Sequence, residues 1–336
     1  MASLMCRMVR HMEQATQVHH SWFGAAGIGS IVGLIKLCEG AYSENTLRGY
    51  AADLRSFQSW CDRQRRNWLP ADPQTIADYV DQEIDTLAAS TVKRRLCAIK
   101  FAHRLADLPD PTRASVVHLA VRRAARRKSR RPVQAAGLTL EILKRILDAT
   151  PNNLTGQRDA ALISIGYDTL CRSCELAALR VEHLGLTLNR EWSVLIPRSK
   201  GDQAGDGRIA WLSPRTIDLI ERWMEASGVQ GGVLFRSLHL GRLAATPLDT
   251  SSIRRLVRRA ARRAGIDLGP GQGLSGHSMR VGAAQDMLVA GFDALAIMQA
   301  GGWKSPNVLL RYVENAATQS LHQRRWATIT DAARLS

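Results

Sequence analysis

The chain has 336 residues, with 46 Lys or Arg against 30 Asp or Glu, so its formal net charge at pH 7 is +16. Because 45% of the residues are hydrophobic and only 5% aromatic, and β-branched runs are scarce, we predict a soluble, mainly α-helical protein of two domains. Such a charge excess is not expected of an ordinary solvated surface and favours a polyanionic partner. Nucleic acid is our interpretation, although charge alone does not separate DNA from RNA or an anionic membrane.

Six cysteines are spread along the chain. Four are isolated in helix-like stretches, which is typical of reduced core thiols in a cytosolic protein: Cys6, Cys38, Cys61 and Cys97. Cys171 and Cys174 form a C-x-x-C step, which suits a redox pair or half of a zinc site. The sequence has no second pair at zinc spacing and no predicted strand before this one. We therefore interpret the two as packing neighbours and predict no metal site.

Residues 22–35 form the longest apolar stretch, but they are too few and too rich in Gly for a spanning helix. As a signal peptide they would follow an unusually long start and lack a good cleavage pattern. No other segment could cross a bilayer, so we expect no membrane partner. We expect a cytoplasmic, nucleoid-associated protein whose residues 1–40 form an N-terminal arm, poorly ordered or with a short helix.

Residues 41–131 have the periodicity of a small all-α domain. Ser43 is a good N-cap for a helix over 46–64, and a second helix is predicted over 74–85. Ser90 would cap a third helix over 91–107. The last helix, over 113–128, then leads into a linker near 132.

That last helix ends in a basic stretch whose side chains fall on two adjoining stripes. With no acid among them, these cations repel one another, so we favour contact with phosphates over a solvated helix end stabilised by its dipole. The seven candidates are Arg122, Arg123, Arg126, Arg127, Lys128, Arg130 and Arg131.

Residues 132–336 are predicted to form an α+β domain. Thr139 caps its first helix, and residues 156–184 are interpreted as two helices that meet near Tyr167. Alternating apolar residues at 191–197 and 207–212 predict two strands, joined by a Gly- and Asp-rich turn that begins near Lys200. A helix starts at Ser213-Pro214, and residues 231–235 are a short strand or a connector.

Residues 251–265 are predicted to form an amphipathic helix, capped by Asp249 or Thr250, with arginines along its whole polar face. Such a helix suits a DNA groove; a membrane-surface helix is the alternative, but its apolar face lacks large aromatic residues. The candidates for DNA contact are Arg254, Arg255, Arg258, Arg259 and Arg262.

The stretch 270–315 carries the clearest chemistry. His277 and Arg280 are three residues apart, and Tyr312 lies about two turns into a helix that begins at Ser305-Pro306. With Trp303, they supply a titratable imidazole, a cation, an indole N–H and a phenol. These groups suit covalent attack on a phosphodiester without a metal.

Each residue type has a task in such a reaction. Arginine neutralises phosphate oxygens two at a time, so Arg172 and Arg280 are candidates for an electrostatic clamp. Tyr312 is the candidate nucleophile, and His277 would take or share its proton. Lys200 would protonate the leaving 5′ oxygen.

Two further residues have supporting tasks. Trp303 would donate to the phosphate or brace the pocket. Glu175 would orient Lys200 or His277.

The order and context of these residues carry a resemblance. The segment SGHSMRVGAAQDMLVAGFDALAIMQAGGWKSPNVLLRYVEN resembles the C-terminal motif of the tyrosine site-specific recombinases, the phage integrase family, and within it the Cre-like branch. TLCRSCELAALR is similar to the first arginine motif of the family, and PRSKG to its β-hairpin lysine. By matched position, the resemblance implies an active site of Arg172, Glu175, Lys200, His277, Arg280, Trp303 and Tyr312.

The resemblance also implies a fold and a reaction. An all-α core-binding domain and an α+β catalytic domain with a C-terminal exchange helix would form a C-shaped clamp on double-stranded DNA bearing an inverted repeat. Tyr312 would form a 3′-phosphotyrosyl bond without metal, ATP or any other cofactor. Four subunits would exchange strands on two sites through a Holliday junction, with accessory proteins as further candidate partners.

Two alternatives stay open. A type IB topoisomerase-like enzyme uses the same chemistry without pairing two DNA sites, but the first domain and the tail speak against it. A DNA-binding protein that has lost catalysis would keep the fold, but the complete residue set speaks against it.

Overall fold

The computed structural model describes residues 30–128, 134–197, 207–269 and 273–316, together with His322, Gln323 and Trp326. The chain divides into two compact units between Val133 and Gln134. The described residues are mostly helical, as the composition predicted, and they contain two small sheets where the alternating pattern predicted one.

The first unit contains helices only, among its described residues. They are α1 Ile31–Lys36, α2 Glu44–Arg63, α3 Pro73–Glu83, α4 Ala89–Leu105 and α5 Ser115–Arg127, with a 3-10 turn at Pro111–Arg113.

Helix α2 packs on α4, and α3 packs on α5. Phe57, Trp60 and Tyr79 meet in the core with ring centroids 4.9–6.4 Å apart. Aromatic pairs at such separations add to the hydrophobic burial, so this cluster anchors the unit.

The core of this unit begins earlier than the helical pattern suggested. Helix α1 lies within the predicted arm, and Leu34 is fully buried. Ser43 caps α2 by accepting from Thr46 N, as predicted. Our assignment of Ser90 as a cap was wrong, because α4 already begins at Ala89 with Ala88 in the capping position.

The second unit is built around one buried helix. Its elements are α6 Leu140–Asp148, α7 Leu154–Thr169, α8 Ser173–Ala177, a 3-10 turn Val181–His183, β1 Leu184–Leu186, β2 Trp192–Ile196, β3 Arg208–Trp211, α9 Pro214–Ser227, β4 Arg236–His239, β5 Arg242–Pro247, α10 Thr250–Arg263, α11 Ser278–Ala290, α12 Ala294–Gly301 and α13 Pro306–Val313.

Helix α7 is buried on most of its circumference, and α9 and α11 pack against it. A helix that is apolar nearly all round belongs inside a core. Strands β1, β2 and β3 form an antiparallel sheet in that order, with Val194 opposite Ala210, and β4 pairs with β5 in a separate hairpin.

The ends of α7 and α9 match the sequence signals in part. Ser213 caps α9, as predicted. The junction after α7 lies at Leu170, three residues beyond the predicted Tyr167, and Leu170 adopts the left-handed conformation with φ 52°. Strand β1 and the β4–β5 hairpin were not predicted. Residues 231–235 are a connector in which Val233 makes an isolated bridge to Arg180.

Candidate active site

The turn after α7 places the first arginine. Arg172 is the residue preceding α8, and its backbone N–H donates to Glu175 Oε2 at 2.9 Å. Its guanidinium donates to Glu175 Oε1 at 2.6 Å. Since the Glu175 side chain is only 2% exposed, this double contact fixes the direction of Arg172 with little screening by solvent. We expected Glu175 to orient Lys200 or His277; among the described residues it holds Arg172.

Ser173 joins this turn to the second half of the site. Its hydroxyl donates to Gly276 O at 3.1 Å, directly before His277. A Cβ on Gly276 would lie 2.3 Å from Ser173 Oγ, so only glycine allows the two segments to approach so closely. The contact brings together residues that are about a hundred positions apart in the chain.

Arg280 lies beneath the same turn. It is fully buried on α11, and its Nη1 donates to Leu170 O. Its Nε and Nη2 have no hydrogen-bond partner within the described ranges. Burial, together with the nearby Arg172 charge, lowers the pKa of Arg280 to about 10, so Arg280 is still a cation at neutral pH.

His277 and Tyr312 form a candidate reactive pair. His277 Nε2 lies 2.6 Å from the Tyr312 hydroxyl. Burial, then the charges of Arg280 and Arg172, lower the pKa of His277 to about 4. The imidazole is therefore neutral at pH 7, and in the tautomer with Nδ1 protonated its Nε2 accepts the phenolic proton. The site thus pairs a candidate nucleophile with a base.

The Trp303 ring packs against Arg280 and Tyr312. It lies 3.9 Å from the Arg280 guanidinium carbon and 4.8 Å from the Tyr312 ring centroid. A Cβ on Gly301 would lie 2.0 Å from the indole ring, so the glycine at the end of α12 makes room for it. The indole Nε1 is buried and has no acceptor among the residues that the structure describes.

The unpaired donors indicate which kind of ligand the candidate site could bind. Trp303 Nε1 and two guanidinium nitrogens of Arg280 are buried N–H groups without an acceptor in the described part of the chain. Leaving such groups unmatched costs free energy, and cationic donors match an anion best. A phosphate group next to Tyr312 would satisfy them.

Arg208 is a supporting residue that the sequence analysis missed. From β3, its guanidinium donates to Thr169 O at 2.6 Å and to Ala300 O at 2.8 Å. It also lies 4.0 Å from Glu175. Arg208 therefore ties the turn before Arg172 to the helix before Trp303. No motif marks it, since its partners are backbone carbonyls.

Lys200 lies outside the described residues, as do Arg130 and Arg131 of the basic stretch. The other six predicted catalytic residues lie in the second unit. They are Arg172, Glu175, His277, Arg280, Trp303 and Tyr312.

The predicted DNA-binding arginines differ in their surroundings. On α5, Arg122, Arg126 and Arg127 are exposed, whereas Arg123 forms an ion pair with Asp81. The Lys128 ammonium donates to Asp85 O at 3.0 Å. The sequence showed no acid within the stretch, but the fold supplies one from α3.

Helix α10 buries its apolar face at Ile253, Leu256, Val257 and Ala260, as predicted. Its arginines are exposed. Arg259 also forms an ion pair: it donates at 2.7 Å to Asp159, a carboxylate that is only 1% exposed.

The cysteines only partly match our interpretation. Cys38, Cys61 and Cys171 are buried, but Cys97 and Cys174 are exposed. The C-x-x-C residues are therefore not two buried neighbours, and burial raises the pKa of Cys171 to about 12. Among the described residues, no group of His, Cys, Asp or Glu could hold a metal ion, and no helix is long and apolar enough to span a bilayer.

A tyrosine hydrogen-bonded to an imidazole, above a buried arginine in an α+β unit that follows a helical one, defines the tyrosine recombinase class. A family model described as "Phage integrase family" matches residues 137–319, and one described as "Phage integrase, N-terminal SAM-like domain" matches residues 35–106. The chain belongs to this family, whose members carry out site-specific recombination on DNA.

Curated relatives agree with this assignment. The chain is 31% identical over 297 residues to "Recombinase cre" of Escherichia phage P1, which covers 83% of this chain and 87% of the relative. It is 30% identical over 287 residues to "Integrase/recombinase xerD homolog" of Selenomonas ruminantium, and the match covers 82% of this chain and 83% of the relative.

Solved structures share the fold. The XerH site-specific recombinase bound to palindromic difH substrate, in a post-cleavage complex, gives a TM-score of 0.62 at 19% identity, with 90% of this chain and 85% of that chain covered. A lambda integrase dimer bound to a COC′ core site gives a TM-score of 0.59 at 18% identity, and the match covers 88% of this chain and 76% of that chain.

Proposed function

We propose that the chain is a Cre-like site-specific recombinase that cleaves and rejoins double-stranded DNA through a 3′-phosphotyrosyl bond on Tyr312. The observation that carries the proposal is the 2.6 Å contact between the Tyr312 hydroxyl and His277 Nε2. It supports the proposal because a neutral imidazole in contact with the phenol could accept its proton, next to a buried guanidinium with unpaired donors in the described part of the chain.

The proposed cleavage step uses each group once. The Tyr312 oxygen attacks the phosphorus, its proton passes to His277, and the bond between phosphorus and the 5′ oxygen breaks. Arg172 and Arg280 hold the non-bridging oxygens, and Trp303 donates its N–H. Lys200 protonates the departing 5′ oxygen. Rejoining is the reverse with a 5′ hydroxyl from the partner duplex, so the total number of phosphodiester bonds is conserved and no cofactor is needed.

We assign residues 41–131 to a core-binding domain and residues 132–336 to the catalytic domain. The proposed partner is a duplex with an inverted repeat, which the palindromic difH substrate of the XerH structure supports. The protein would work in the cytoplasm at the nucleoid, with accessory proteins as further candidate partners. DNA contacts are proposed for Arg122, Arg123, Arg126, Arg127, Lys128, Arg130, Arg131, Arg254, Arg255, Arg258, Arg259 and Arg262.

The proposed assembly is a tetramer on two sites that passes through a Holliday junction and exchanges C-terminal helices. Apolar side chains around α12 and α13 support it: Phe292 is 53% exposed, Leu295 76% and Leu310 62%. Large exposed apolar side chains are available for contact with another subunit.

The test is capture of the covalent intermediate. The Tyr312→Phe protein is first used to select binding sites from a pool of random DNA duplexes. A nicked suicide substrate that carries the selected site is then incubated with wild type and with each variant. We expect a denaturant-resistant adduct with wild type and with the control Tyr42→Phe, and none with Tyr312→Phe.

Two outcomes would contradict the proposal. Binding without any wild-type adduct would indicate a DNA-binding protein, and relaxation of plasmids that lack the selected site would indicate a topoisomerase.

A further inference from the structure

Gln285 is a buried polar side chain that the proposed chemistry does not use. It lies on α11, is 7% exposed, and its Nε2 donates to the backbone carbonyl of Tyr312 at 3.2 Å. A buried amide normally has a partner whose loss would be costly. This one is bound to the residue that carries the candidate nucleophile.

The carbonyl of Tyr312 needs an external donor. Helix α13 ends at Val313, so Tyr312 lies in the last turn, where carbonyls have no helical N–H partner. The next carbonyl, Val313 O, accepts from Ala316 N at 2.9 Å. Gln285 supplies the corresponding bond to Tyr312 from a neighbouring helix. It therefore fixes the end of α13 from which the phenol projects.

Gln285 also touches the segment by which the chain enters the second unit. A Cβ built on Gly137 would lie 2.2 Å from Gln285 Oε1. The next residue, Leu138, donates its N–H to Ser278 O on α11 at 2.8 Å. The entry segment, residues 134–138, thus runs along α11 and packs against the far side of the Gln285 amide.

A second contact joins the same two regions. Asn315 Nδ2, just beyond α13, donates to Gln134 Oε1 at 3.2 Å. The entry segment therefore meets both Gln285 and the chain that follows Tyr312. Gln134 is the first residue of the second unit and continues directly from Val133, the last residue of the first.

We propose that Gln285 is a positioning residue that couples the entry segment to the tyrosine helix. With the segment in the described place, Gly137 holds the amide toward the Tyr312 carbonyl, and α13 is fixed. A displacement of the segment releases the amide and loosens the phenol. The inference rests on the proposed function of Tyr312.

The test uses a variant that removes the hydrogen-bond donor of Gln285 but keeps the volume of its side chain. Gln285→Met keeps the volume and removes the N–H group. We expect amide hydrogen exchange in residues 306–316 of the free full-length protein to quicken by about two- to tenfold, the range given by loss of one hydrogen bond. Exchange elsewhere should be unchanged. Adduct formation on the suicide substrate should slow by a similar factor with unchanged DNA affinity.

A double-mutant cycle tests the coupling itself. Gly137→Ala pushes mainly on the amide oxygen, at 2.2 Å, and less on Gly282 Cα, at 3.1 Å. It should raise exchange in 306–316, and most of this effect should disappear in a Gln285→Ala background, where only the Gly282 contact is left. Gly185→Ala is the matched control, since its Cβ would meet only Ser193 Oγ, at 3.9 Å.

Unchanged exchange in Gln285→Met, or fully additive effects of Gly137→Ala and Gln285→Ala, would overturn the inference. If Gln285→Met does not fold, Gly137→Ala decides the outcome. Because exchange is measured without DNA, failure of this coupling is distinguishable from failure of wild type to form any adduct.

Discussion

His277 shows how a pocket of fixed positive charge selects a protonation state. An exposed histidine is half protonated near pH 6.5. Here burial and then Arg280 and Arg172 bring its pKa to about 4. The cations that would hold a phosphate therefore also keep the adjacent base neutral and able to accept the proton of Tyr312.

We predict that the His277 ring signals of the free protein do not titrate between pH 8 and 5.5 in an NMR experiment. Arg172→Ala should move the transition upward, toward 6.5, because one repelling charge is removed. Tyr312→Phe, which leaves both arginines in place, is the comparison variant. A wild-type midpoint near 6.5 would contradict the electrostatic argument.

The lowered pKa of His277 also makes the stability of the fold depend on pH. The unfolded chain binds a proton at His277 near pH 6.5, whereas the folded chain binds it only near pH 4. As pH falls through this window, the unfolded state takes up more protons, so the free energy of unfolding decreases.

At the scale of elements, β3 connects the sheet to the site through Arg208. This guanidinium donates to Thr169 O and Ala300 O and is only 14% exposed. It also braces Leu170, whose left-handed backbone with φ 52° is unusual for a branched side chain. Strand and turn are thus held as one element.

We predict that Arg208→Met lowers the free energy of unfolding by roughly 2–4 kcal/mol, since two carbonyls lose their donor. The Tm should fall by about 5–12 °C, and adduct formation should slow while DNA affinity is retained. Calorimetry and the suicide substrate measure the two effects. The exposed Arg222→Met on α9 is the control, and an equal loss in both variants would refute the bracing role.

Local signals made several elements predictable. Ser43, Thr139, Ser213 and Asp249 each cap a helix where the sequence placed one. Such caps act within three residues, so a single sequence reveals them.

Elements without a clear local pattern, and contacts between residues distant in sequence, were not predictable. The β4–β5 hairpin turns at Leu240 and Gly241, both with positive φ, within a stretch that lacks clear alternation. Arg208 and Gln285 depend on backbone carbonyls far away in the sequence, which only the fold brings near them. The resemblance singles out candidate reacting side chains, whereas the contacts that support them depend on the packing.

At the scale of the whole molecule, the excess charge of +16 is carried by exposed arginines in both units. Arg126 and Arg127 in the first unit, and Arg254, Arg255 and Arg262 in the second, are exposed. Arg123 and Arg259 are exposed too, but each also has a carboxylate partner. The charge on the surface is therefore divided between free and paired cations.

We predict that Arg126→Ala and Arg255→Ala each reduce the slope of log K against log salt by about 0.9, the value for one lost phosphate contact. Arg123→Ala should reduce it least, because Asp81 already neutralises its charge. Arg259→Ala should have an intermediate effect, because Arg259 shares the single charge of Asp159 with Arg158. Fluorescence anisotropy on one duplex over a salt series gives the slopes. Equal reductions in all four variants would show that the carboxylates play no part.

The unmatched donors of Trp303 and Arg280 would link binding at the candidate site to the lifetime of the protein. Each desolvated N–H without an acceptor costs about 1–3 kcal/mol, a sizeable share of the roughly 5–15 kcal/mol that stabilises a typical domain. A phosphodiester bound there, as proposed, would remove this cost and raise the stability of the occupied molecule. Since proteases act on opened chains, copies engaged on DNA would outlast idle ones, and degradation in the cell would selectively clear enzyme that has no target.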